Sequence, residues 1–169
     1  MDTFANLLIQ NIPHLRRYAR SLTRDVQQAE DLVQECLDRA WSRMSQWQAD
    51  SNMRAWLFTI MHNLHVNTLR HNGGYPAWEY VEGMEPEHRH QSDIEGVMEV
   101  RDLEKALGRL SAEQREVLLL VCVEGMSYAQ VSAVLGVPTG TVMSRLHRAR
   151  EAMRVWMRGD DATRLRRVK

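Results

Sequence analysis

The chain has 169 residues, of which 44% are hydrophobic and 26% are charged, and its 22 basic and 22 acidic residues give a formal net charge of zero. This length suits one mid-sized or two small domains, and with four arginines in the first thirty residues we expect neither a secretory signal nor a membrane span there. The neutral average hides a strong asymmetry, because residues 79–104 carry a net charge of −7 and residues 139–169 a net charge of +6.

Three helices are predicted in an N-terminal block, residues 1–72. The first has apolar positions at Leu7, Leu8, Leu15, Tyr18, Ala19 and Leu22, with Pro13 predicting a break or a fresh start. The second is the most regular, with apolar residues three and four apart at Ala29, Leu32, Val33, Cys36, Leu37, Ala40, Trp41 and Met44. A polar segment, 46–52, precedes the third, whose apolar positions are Trp56, Leu57, Ile60, Leu64 and Leu69.

A second helical block is predicted over residues 94–158. Residues 73–93, rich in acids and containing glycine and proline, predict a flexible linker between the blocks, and residues 159–169 form a basic tail. Ser111 and Gln114 predict a capping box ahead of a strongly apolar helix. No segment shows the alternation typical of strands. The predicted fold class is therefore all-α, with two small helical domains joined by a flexible acidic linker.

Residues 127–146 predict a helix-turn-helix. Ser127 is suited to cap a short helix, Gly136 to end it in a left-handed conformation, and Pro138 to start the next. On the second helix, the residues predicted to face the core are Val142, Leu146, Ala149 and Met153. The opposite side carries short hydroxyls and arginines, which suit phosphates and guanine edges in a major groove. An ordinary solvated arginine face is the alternative interpretation.

The cysteines and histidines predict no metal or cofactor site. Cys36 and Cys122 both occupy apolar positions of helical patterns, and two buried free thiols fit a reducing cytoplasm. His62 and His65 are three residues apart on one predicted helix, but no third ligand is evident. We expect them to make surface or backbone contacts.

Three ordered segments resemble the extracytoplasmic-function (ECF) sigma factors of bacterial RNA polymerase. Residues 138–150, Pro-Thr-Gly-Thr-Val-Met-Ser-Arg-Leu-His-Arg-Ala-Arg, are similar to the end of region four in that family. Residues 29–35, Ala-Glu-Asp-Leu-Val-Gln-Glu, and residues 55–63, Ala-Trp-Leu-Phe-Thr-Ile-Met-His-Asn, are similar to region two. The resemblance covers nearly the whole chain.

This resemblance implies a role in transcription initiation and assigns three groups of residues. The residues that would contact core RNA polymerase, through its β′ and β subunits, are Asp31, Gln34, Glu35, Asp38 and Arg39. The residues that would recognise and melt the minus-ten element are Trp47, Asp50, Ser51, Asn52 and Asn63, with a partly buried hydrophobic anchor as the alternative for Trp47. Recognition of the minus-thirty-five element would fall to Thr141, Ser144, Arg145, Arg148 and Arg150. The family also implies an anti-sigma factor as a partner.

Three other classes of function would require different sequence features. A stand-alone DNA-binding regulator would not need the acidic helix and aromatic loop of the first block. A sigma-like mimic that titrates an anti-sigma factor would be expected to lose the basic face of the recognition helix. The sequence contains no nucleophile motif or phosphate-binding glycine loop, so we do not expect an enzyme.

Overall fold

The computed structural model describes residues 2–73 and 100–166, with side chains described for 3–73 and 105–158. In these ranges the helices are α1 (Asp2–Thr23), α2 (Val26–Ser42), α3 (Met53–His71), α4 (Val100–Arg109), α5 (Ala112–Leu118), α6 (Tyr128–Leu135) and α7 (Thr139–Arg166). A 3₁₀ turn (Met44–Gln46) follows α2, and a π-helical turn (Leu119–Val123), here called the π-turn, continues α5. The described residues form no strand, which confirms the all-α prediction. The predicted linker, 73–93, lies outside them except for Gly73.

Helix α1 runs through Pro13 without interruption, so the predicted break is wrong. Proline cannot bond to the carbonyl four residues earlier, which belongs to Ile9. Ile9 is exposed, so water can reach the carbonyl that loses its partner. The next turns of α1 bury Leu15, Tyr18 and Ala19 completely, and this packing holds the helix continuous.

Helices α1, α2 and α3 pack against one another and form the first half of the molecule. The side chain of Asp25 caps α2 by accepting a hydrogen bond from the Gln28 backbone N–H at 2.8 Å. The predicted apolar stripe of α2 is buried at Ala29, Leu32, Val33, Cys36 and Ala40. Trp41 departs from this prediction, because 52% of its surface is exposed.

The second half is built on local capping signals. Ser111 and Ser127 each form a capping box, with Gln114 and Gln130 respectively, which confirms the predicted helix starts. Helix α7 begins at Thr139 as predicted but continues to Arg166, so most of the predicted basic tail has a helical backbone. No helix in the described ranges combines the length and apolarity needed to cross a bilayer.

The π-turn changes the predicted faces of the central helix. The Glu124 backbone N–H donates to the Leu119 carbonyl at 3.0 Å, five residues back, where an α-helix would bond four residues back. Cys122 lies within this turn and is exposed where the sequence predicted burial. Neither Cys122 nor Cys36, which is buried, forms a disulfide.

The two halves share one hydrophobic core. Helix α1 packs on α5, and α3 packs on α6. A continuous cluster of buried side chains runs from Leu15 and Leu57 in the first half to Val117 and Val131 in the second. A smaller cluster joins α4 to α7. The two predicted blocks therefore meet in a closed arrangement, which is stabilised by the burial of apolar surface at about 25 cal/mol per Å².

Candidate functional site

The polar face of α2 is a continuous exposed surface. Its exposed members are Asp31, Gln34, Glu35, Asp38 and Arg39. Only weak contacts restrain them: Gln34 Nε2 donates to Asp38 Oδ1 at 3.4 Å, and the Arg39 guanidinium lies 3.6 Å from the Glu35 carboxylate. Because exposed pairs of this kind contribute about 0–1 kcal/mol, these side chains can exchange their present contacts for contacts with a partner at little cost in free energy.

Trp41 extends the same face of α2. Gln34, Asp38 and Trp41 are related by steps of four and three residues, so they form one row along the helix surface. The ring centroid of Trp41 lies 6.1 Å from that of Phe4, which supports one side of the indole while the other side faces solvent. Sequence periodicity assigned Trp41 to the core, because a tryptophan at apolar spacing carries no signal of its exposure.

The loop between α2 and α3 holds its residues in different environments. Trp47 is half-buried, with its ring centroid 5.4 Å from that of Phe4 and its indole N–H buried without a hydrogen-bond partner. Asn52 caps α3, because its side-chain oxygen accepts from the Ala55 backbone N–H at 3.2 Å. Asp50 and Ser51 are exposed, and the Ser51 hydroxyl donates to the Gln48 carbonyl at 2.7 Å.

Asn63 lies on the same side of α3 as Asn52. The two are eleven residues apart, which is close to three full turns and about 16 Å along the helix axis. Asn63 is exposed, whereas its neighbours His62 and Leu64 are buried. Asn52 and Asn63, two exposed members of the predicted minus-ten group, therefore lie along one side of α3.

The helix-turn-helix has the predicted geometry. Gly136 ends α6 with φ +65°, a left-handed conformation that glycine adopts without strain. The Ser132 hydroxyl donates to the Val137 carbonyl at 2.6 Å and closes the turn. All four residues predicted for the inner face of α7 are buried, namely Val142, Leu146, Ala149 and Met153.

The arginines on the outer face of α7 differ in their exposure to solvent. Arg148 and Arg150 are exposed, and Arg150 Nη2 lies 3.7 Å from Cys122 Sγ. Arg145 is half-buried and already makes an interaction within the chain. Thr141 and Ser144 are half-buried, and the Ser144 hydroxyl donates to the Thr141 carbonyl at 3.1 Å. Arg148 and Arg150 are thus the most accessible residues of the predicted minus-thirty-five group.

A buried carboxylate joins the two halves beside the π-turn. The Glu124 side chain has no exposed surface. The Arg17 guanidinium donates to Glu124 Oε1 at 2.7 Å, and His14 Nδ1 lies 2.6 Å from Oε2. Arg54 Nη1 lies 3.8 Å from the same Oε2, and Arg54 Nε donates to Asn11 Oδ1 at 3.3 Å. Two cations and one imidazole from the first half therefore surround one acid of the second.

A second carboxylate, Glu116, makes a similar connection from α5. The Tyr18 hydroxyl donates to Glu116 Oε1, and His62 Nδ1 lies 2.7 Å from the same oxygen. Burial, and secondarily the charge of Glu116, raises the pKa of Tyr18 well above its usual value of 10.0. Nearby, Arg115 Nε donates to the Ser21 carbonyl at 2.9 Å. The sequence analysis did not predict these contacts between the halves. Their one signal in the sequence was an acidic residue beside a strongly apolar run.

His62 is therefore buried against a carboxylate, and the prediction of a surface or backbone contact is wrong for it. His65, one turn further along α3, is half-buried. Burial lowers its pKa from 6.5; the charge of Glu116 opposes this shift, and His62 adds to it. The described residues contain no group of three His, Cys, Asp or Glu side chains placed to hold a metal ion.

Two family models match the two halves of the chain. The model described as the sigma2 domain of PhyR matches residues 8–62, which include α2, the loop and the first half of α3 up to His62. The model described as sigma-70 region 4 matches residues 101–153, which include the helix-turn-helix. The matched segments coincide with the surfaces described above.

Whole-length relatives agree with these matches. The chain is 33% identical over 169 residues to ECF RNA polymerase sigma factor EcfG of Rhodopseudomonas palustris, covering 95% of this chain and 88% of the relative. The chain belongs to the ECF RNA polymerase sigma factors. This sigma factor is also 37% identical over 144 residues to a probable sigma-C factor of Mycobacterium bovis, covering 82% of this chain and 75% of that one.

A solved structure shows the same fold with a bound regulator. The sigma factor RpoE of Bartonella quintana, in complex with the anti-sigma factor NepR, is 33% identical to this sigma factor, with a TM-score of 0.74. The similarity covers 94% of this chain and 98% of that one. CnrH, solved in complex with the cytosolic domain of CnrY, is 26% identical with a TM-score of 0.65, covering 93% and 88% of the two chains.

Proposed function

We propose that this sigma factor binds core RNA polymerase, carries it to specific promoters and helps to open the DNA there. The observation that carries the proposal is the presence in one chain of an exposed polar α2 face and an exposed, arginine-bearing recognition helix. A duplex-binding regulator would use only the second surface. The chain supplies binding and positioning, without a cofactor, and the polymerase carries out the chemistry.

Helix α2 supplies the proposed polymerase contact, made mainly to the coiled coil of the β′ subunit. Asp31, Glu35 and Asp38 offer negative charge, and Gln34 and Arg39 offer hydrogen-bond donors. We add Trp41 to this surface, because tryptophans that are held on one side and exposed on the other often dominate the binding energy of protein interfaces. The charged side chains then set the orientation of the complex and its rate of formation.

The recognition helix α7 supplies the proposed minus-thirty-five contact as intact duplex. Arg148 is exposed and long enough to reach guanine O6 and N7 in the major groove, where each bidentate contact contributes about 1–3 kcal/mol of discrimination. Arg150 and Thr141 would make the phosphate contacts that position the helix. Arg145 and Ser144 are less accessible and would need to exchange their present contacts for DNA.

The loop and the exposed edge of α3 supply the proposed minus-ten contact. A base that leaves the duplex needs a partner for stacking and for its polar edge. Asp50, Ser51 and Asn63 are exposed and offer polar groups, and Asn52 lies beside them at the start of α3. Trp47 would have to turn away from Phe4 before it could stack on a base, and its unpaired indole N–H makes that change less costly.

This assignment divides the chain into the four parts predicted from the sequence. Residues 1–72 would bind polymerase and the minus-ten element, 73–93 would link the halves, 94–158 would read the minus-thirty-five element, and 159–169 would add phosphate contacts. Two weak DNA contacts joined by a linker strengthen each other through their effective concentration. An anti-sigma factor, as in the Bartonella quintana complex, would hold the sigma factor inactive in the cytoplasm.

One observation favours a second candidate, a sigma-like protein that titrates an anti-sigma factor. The family model that matches residues 8–62 is described by its occurrence in PhyR, and a solved PhyR from Bartonella quintana is called an anti-anti-sigma factor. Such a mimic would need the partner-binding surfaces of the fold but not the exposed Arg148 and Arg150. Their retention on a helix of recognition geometry supports the sigma-factor function.

Reconstituted transcription with core polymerase and a promoter library tests the proposal. The double variant Arg145→Ala, Arg148→Ala should lose promoter-specific initiation while it still binds core polymerase. The double variant Asp31→Asn, Glu35→Gln should weaken core binding. If the unmodified protein supports no promoter-specific initiation but releases a polymerase-active sigma factor from its anti-sigma factor, the mimic is the correct function. If both variants lose both activities equally, the proposed division of surfaces is wrong.

A further inference from the structure

Two arginines lie together where α1 and α4 end and α5 begins. Arg24 directly follows α1 and is exposed, whereas Arg115 lies in α5 and has only 8% of its surface exposed. Arg115 Nε donates to the Ser21 carbonyl at 2.9 Å, and its Nη1 donates to the Leu107 carbonyl at 3.3 Å. The Arg24 guanidinium lies beside Gly108. Both guanidinium groups are therefore held against the same turn of α4.

The lack of a side chain at Gly108 allows this approach. A Cβ atom at that position would lie 3.0 Å from Arg24 Nη2 and 3.7 Å from its Cζ. Because carbon atoms in contact are normally about 3.5–4.0 Å apart, an added methyl group would push the guanidinium away from α4. Gly108 lies within the helix, where glycine is less stable than alanine. The glycine therefore gives up some helix stability and leaves room for Arg24.

The backbone of Arg24 also needs an explanation. Its φ is +57°, and no other non-glycine residue in the described ranges has a positive φ. Glycine and asparagine are the residues that normally adopt this left-handed conformation after a helix, because other side chains are strained there. The turn after α1 would therefore form more easily with another residue, and the arginine side chain is what distinguishes this position.

Neither arginine is neutralised by an acid. Among the described residues, Arg24 and Arg115 form no ion pair. Glu116 is next to Arg115 in the chain, but its Oε1 is bonded to Tyr18 and His62. Burial, and secondarily the positive charge of Arg24, lowers the pKa of Arg115, and the charge of Glu116 opposes this shift. The two guanidinium groups therefore repel each other, and an anion that contacts both would remove this repulsion.

Capping of helix ends does not account for both side chains. Arginines near a helix C-terminus often donate to the last carbonyl groups, and Arg115 does so at Ser21 and Leu107. The Arg24 guanidinium donates to no carbonyl group in the described part of the chain. A guanidinium has five N–H donors in a planar fork that matches two oxygens of a phosphate. The unused donors of the pair therefore suit a tetrahedral oxyanion.

We propose that Arg24 and Arg115 form a binding site for a phosphate dianion at the junction of α1, α4 and α5. The ligand is inorganic phosphate or the terminal phosphate of a small metabolite, which share this chemistry. Arg115 supplies donors that two carbonyl groups already hold in place, and Arg24 contacts the anion from the solvent side. The site includes no residue of the α2 face or of α7, so it adds a ligand to those that promoter recognition requires.

Thermal unfolding of the whole chain tests the site. Unfolding is followed in increasing phosphate at about pH 7.5, where a phosphate monoester is mostly dianionic, and in sodium chloride of equal ionic strength. At ten times Kd, the ligand raises the ratio of folded to unfolded protein about 11-fold. For a protein of this size, Tm should then rise by about 3–6 °C more than in chloride. Adenosine monophosphate distinguishes the two sources: a larger rise at equal concentration indicates a metabolite, and an equal rise indicates free phosphate.

Four variants locate the bound anion. Arg24→Asn removes the guanidinium but keeps a residue that tolerates the left-handed backbone, and it should abolish the rise. Gly108→Ala keeps every charge but displaces the guanidinium, and it should at least halve the rise. Arg148→Gln removes an exposed arginine from the recognition helix, and Gly140→Ala adds a methyl group where no atom lies within 4 Å. These two controls should keep the full rise.

The outcomes decide the proposal without polymerase or promoter DNA. Phosphate that stabilises no more than chloride overturns it. A full rise in Arg24→Asn or in Gly108→Ala also overturns it, because the anion then binds elsewhere, and so does an equal loss in Arg148→Gln. Circular dichroism establishes that each variant is folded, and Gly108→Ala decides the question if Arg24→Asn does not fold. Loss of the rise in Arg24→Asn and its reduction in Gly108→Ala, with both controls unchanged, support the site.

Discussion

Removing one hydroxyl at the interface should destabilise the whole molecule. In Tyr18→Phe the ring keeps its packing against Phe58, whose centroid lies 4.7 Å away, and only the hydrogen bond to Glu116 is lost. Tyr18 and Phe58 are completely buried, so no water can take the place of the missing hydroxyl without rearrangement. The change therefore isolates one polar contact between the two halves.

The size of the expected destabilisation follows from the charge of the hydrogen-bond acceptor, Glu116. A hydrogen bond to a charged group contributes about 1.5–3 kcal/mol, and Glu116 keeps its contact with His62. For a protein of this size each kcal/mol shifts the thermal midpoint by about 2–4 °C, so we expect Tm to fall by about 3–12 °C. Because one core spans both halves, the unfolding transition should remain single.

Thermal and urea unfolding followed by circular dichroism measure this change, with Tyr128→Phe on α6 as the matched control, because Tyr128 is half-buried. The control should stay within about 0.5 kcal/mol of the unmodified protein. A fall in Tm smaller than about 2 °C for Tyr18→Phe would refute the reasoning. An equal fall in the control would also refute it, because the loss could then not be assigned to the bond with Glu116.

The same variant predicts a difference at alkaline pH. Burial, followed by the charge of Glu116, raises the pKa of Tyr18 in the folded protein above 10.0, whereas in the unfolded chain it titrates near pH 10. The unfolded state therefore releases its proton first, and the stability due to Tyr18 is present below pH 10 and lost as the pH rises above 10. The difference in stability between the unmodified protein and Tyr18→Phe should narrow above pH 10. A constant difference up to pH 11 would contradict this.

Three further predictions follow from single residues. Gly136 has φ +65°, whereas Gly140, at the start of α7, has no positive φ. Gly136→Ala should therefore lower the free energy of unfolding in urea by about 1–2 kcal/mol, and the control Gly140→Ala should not show this strain. Thiol labelling of the native protein should modify Cys122 rapidly and Cys36 only on unfolding, because Cys36 is buried with a pKa raised to about 12, and equal rates would contradict this. Trp41→Ala should leave stability within about 0.5 kcal/mol and weaken polymerase binding by about 30-fold. Val26→Ala, at another exposed apolar position of α2, should change neither, and unchanged polymerase affinity in Trp41→Ala would remove that residue from the proposed surface.

The features that could be predicted from the sequence are those encoded locally. The capping boxes at Ser111 and Ser127 and the left-handed turn at Gly136 depend on residues within three or four positions, so their signals are complete in the sequence. The buried stripes of α2 and α7 were also predictable, because a helix repeats every 3.6 residues. These elements account for most of the fold and for the position of the recognition helix.

The features that were missed depend on distant contacts. Exposure of Trp41 and burial of His62 are decided by which helix packs on which, and periodicity does not contain that information. The pairing of Glu124 with Arg17 joins positions 107 residues apart and follows from the meeting of the two halves. The exposure of Cys122 depends on which side of an apolar helix packs against the first half, and a run of apolar residues does not contain that information.

The π-turn also determines how changes of chain length would act. Deletion of one residue from Leu119–Val123 would remove the extra residue of this wide turn, so the helix would continue with regular α-helical bonds and each residue beyond it would keep nearly the same orientation. Glu124 would then still face His14 and Arg17. In this sigma factor the turn can therefore lose one residue and keep its contacts with the first half, so a gap of one position there in an aligned relative would be tolerated better than a gap elsewhere in α5.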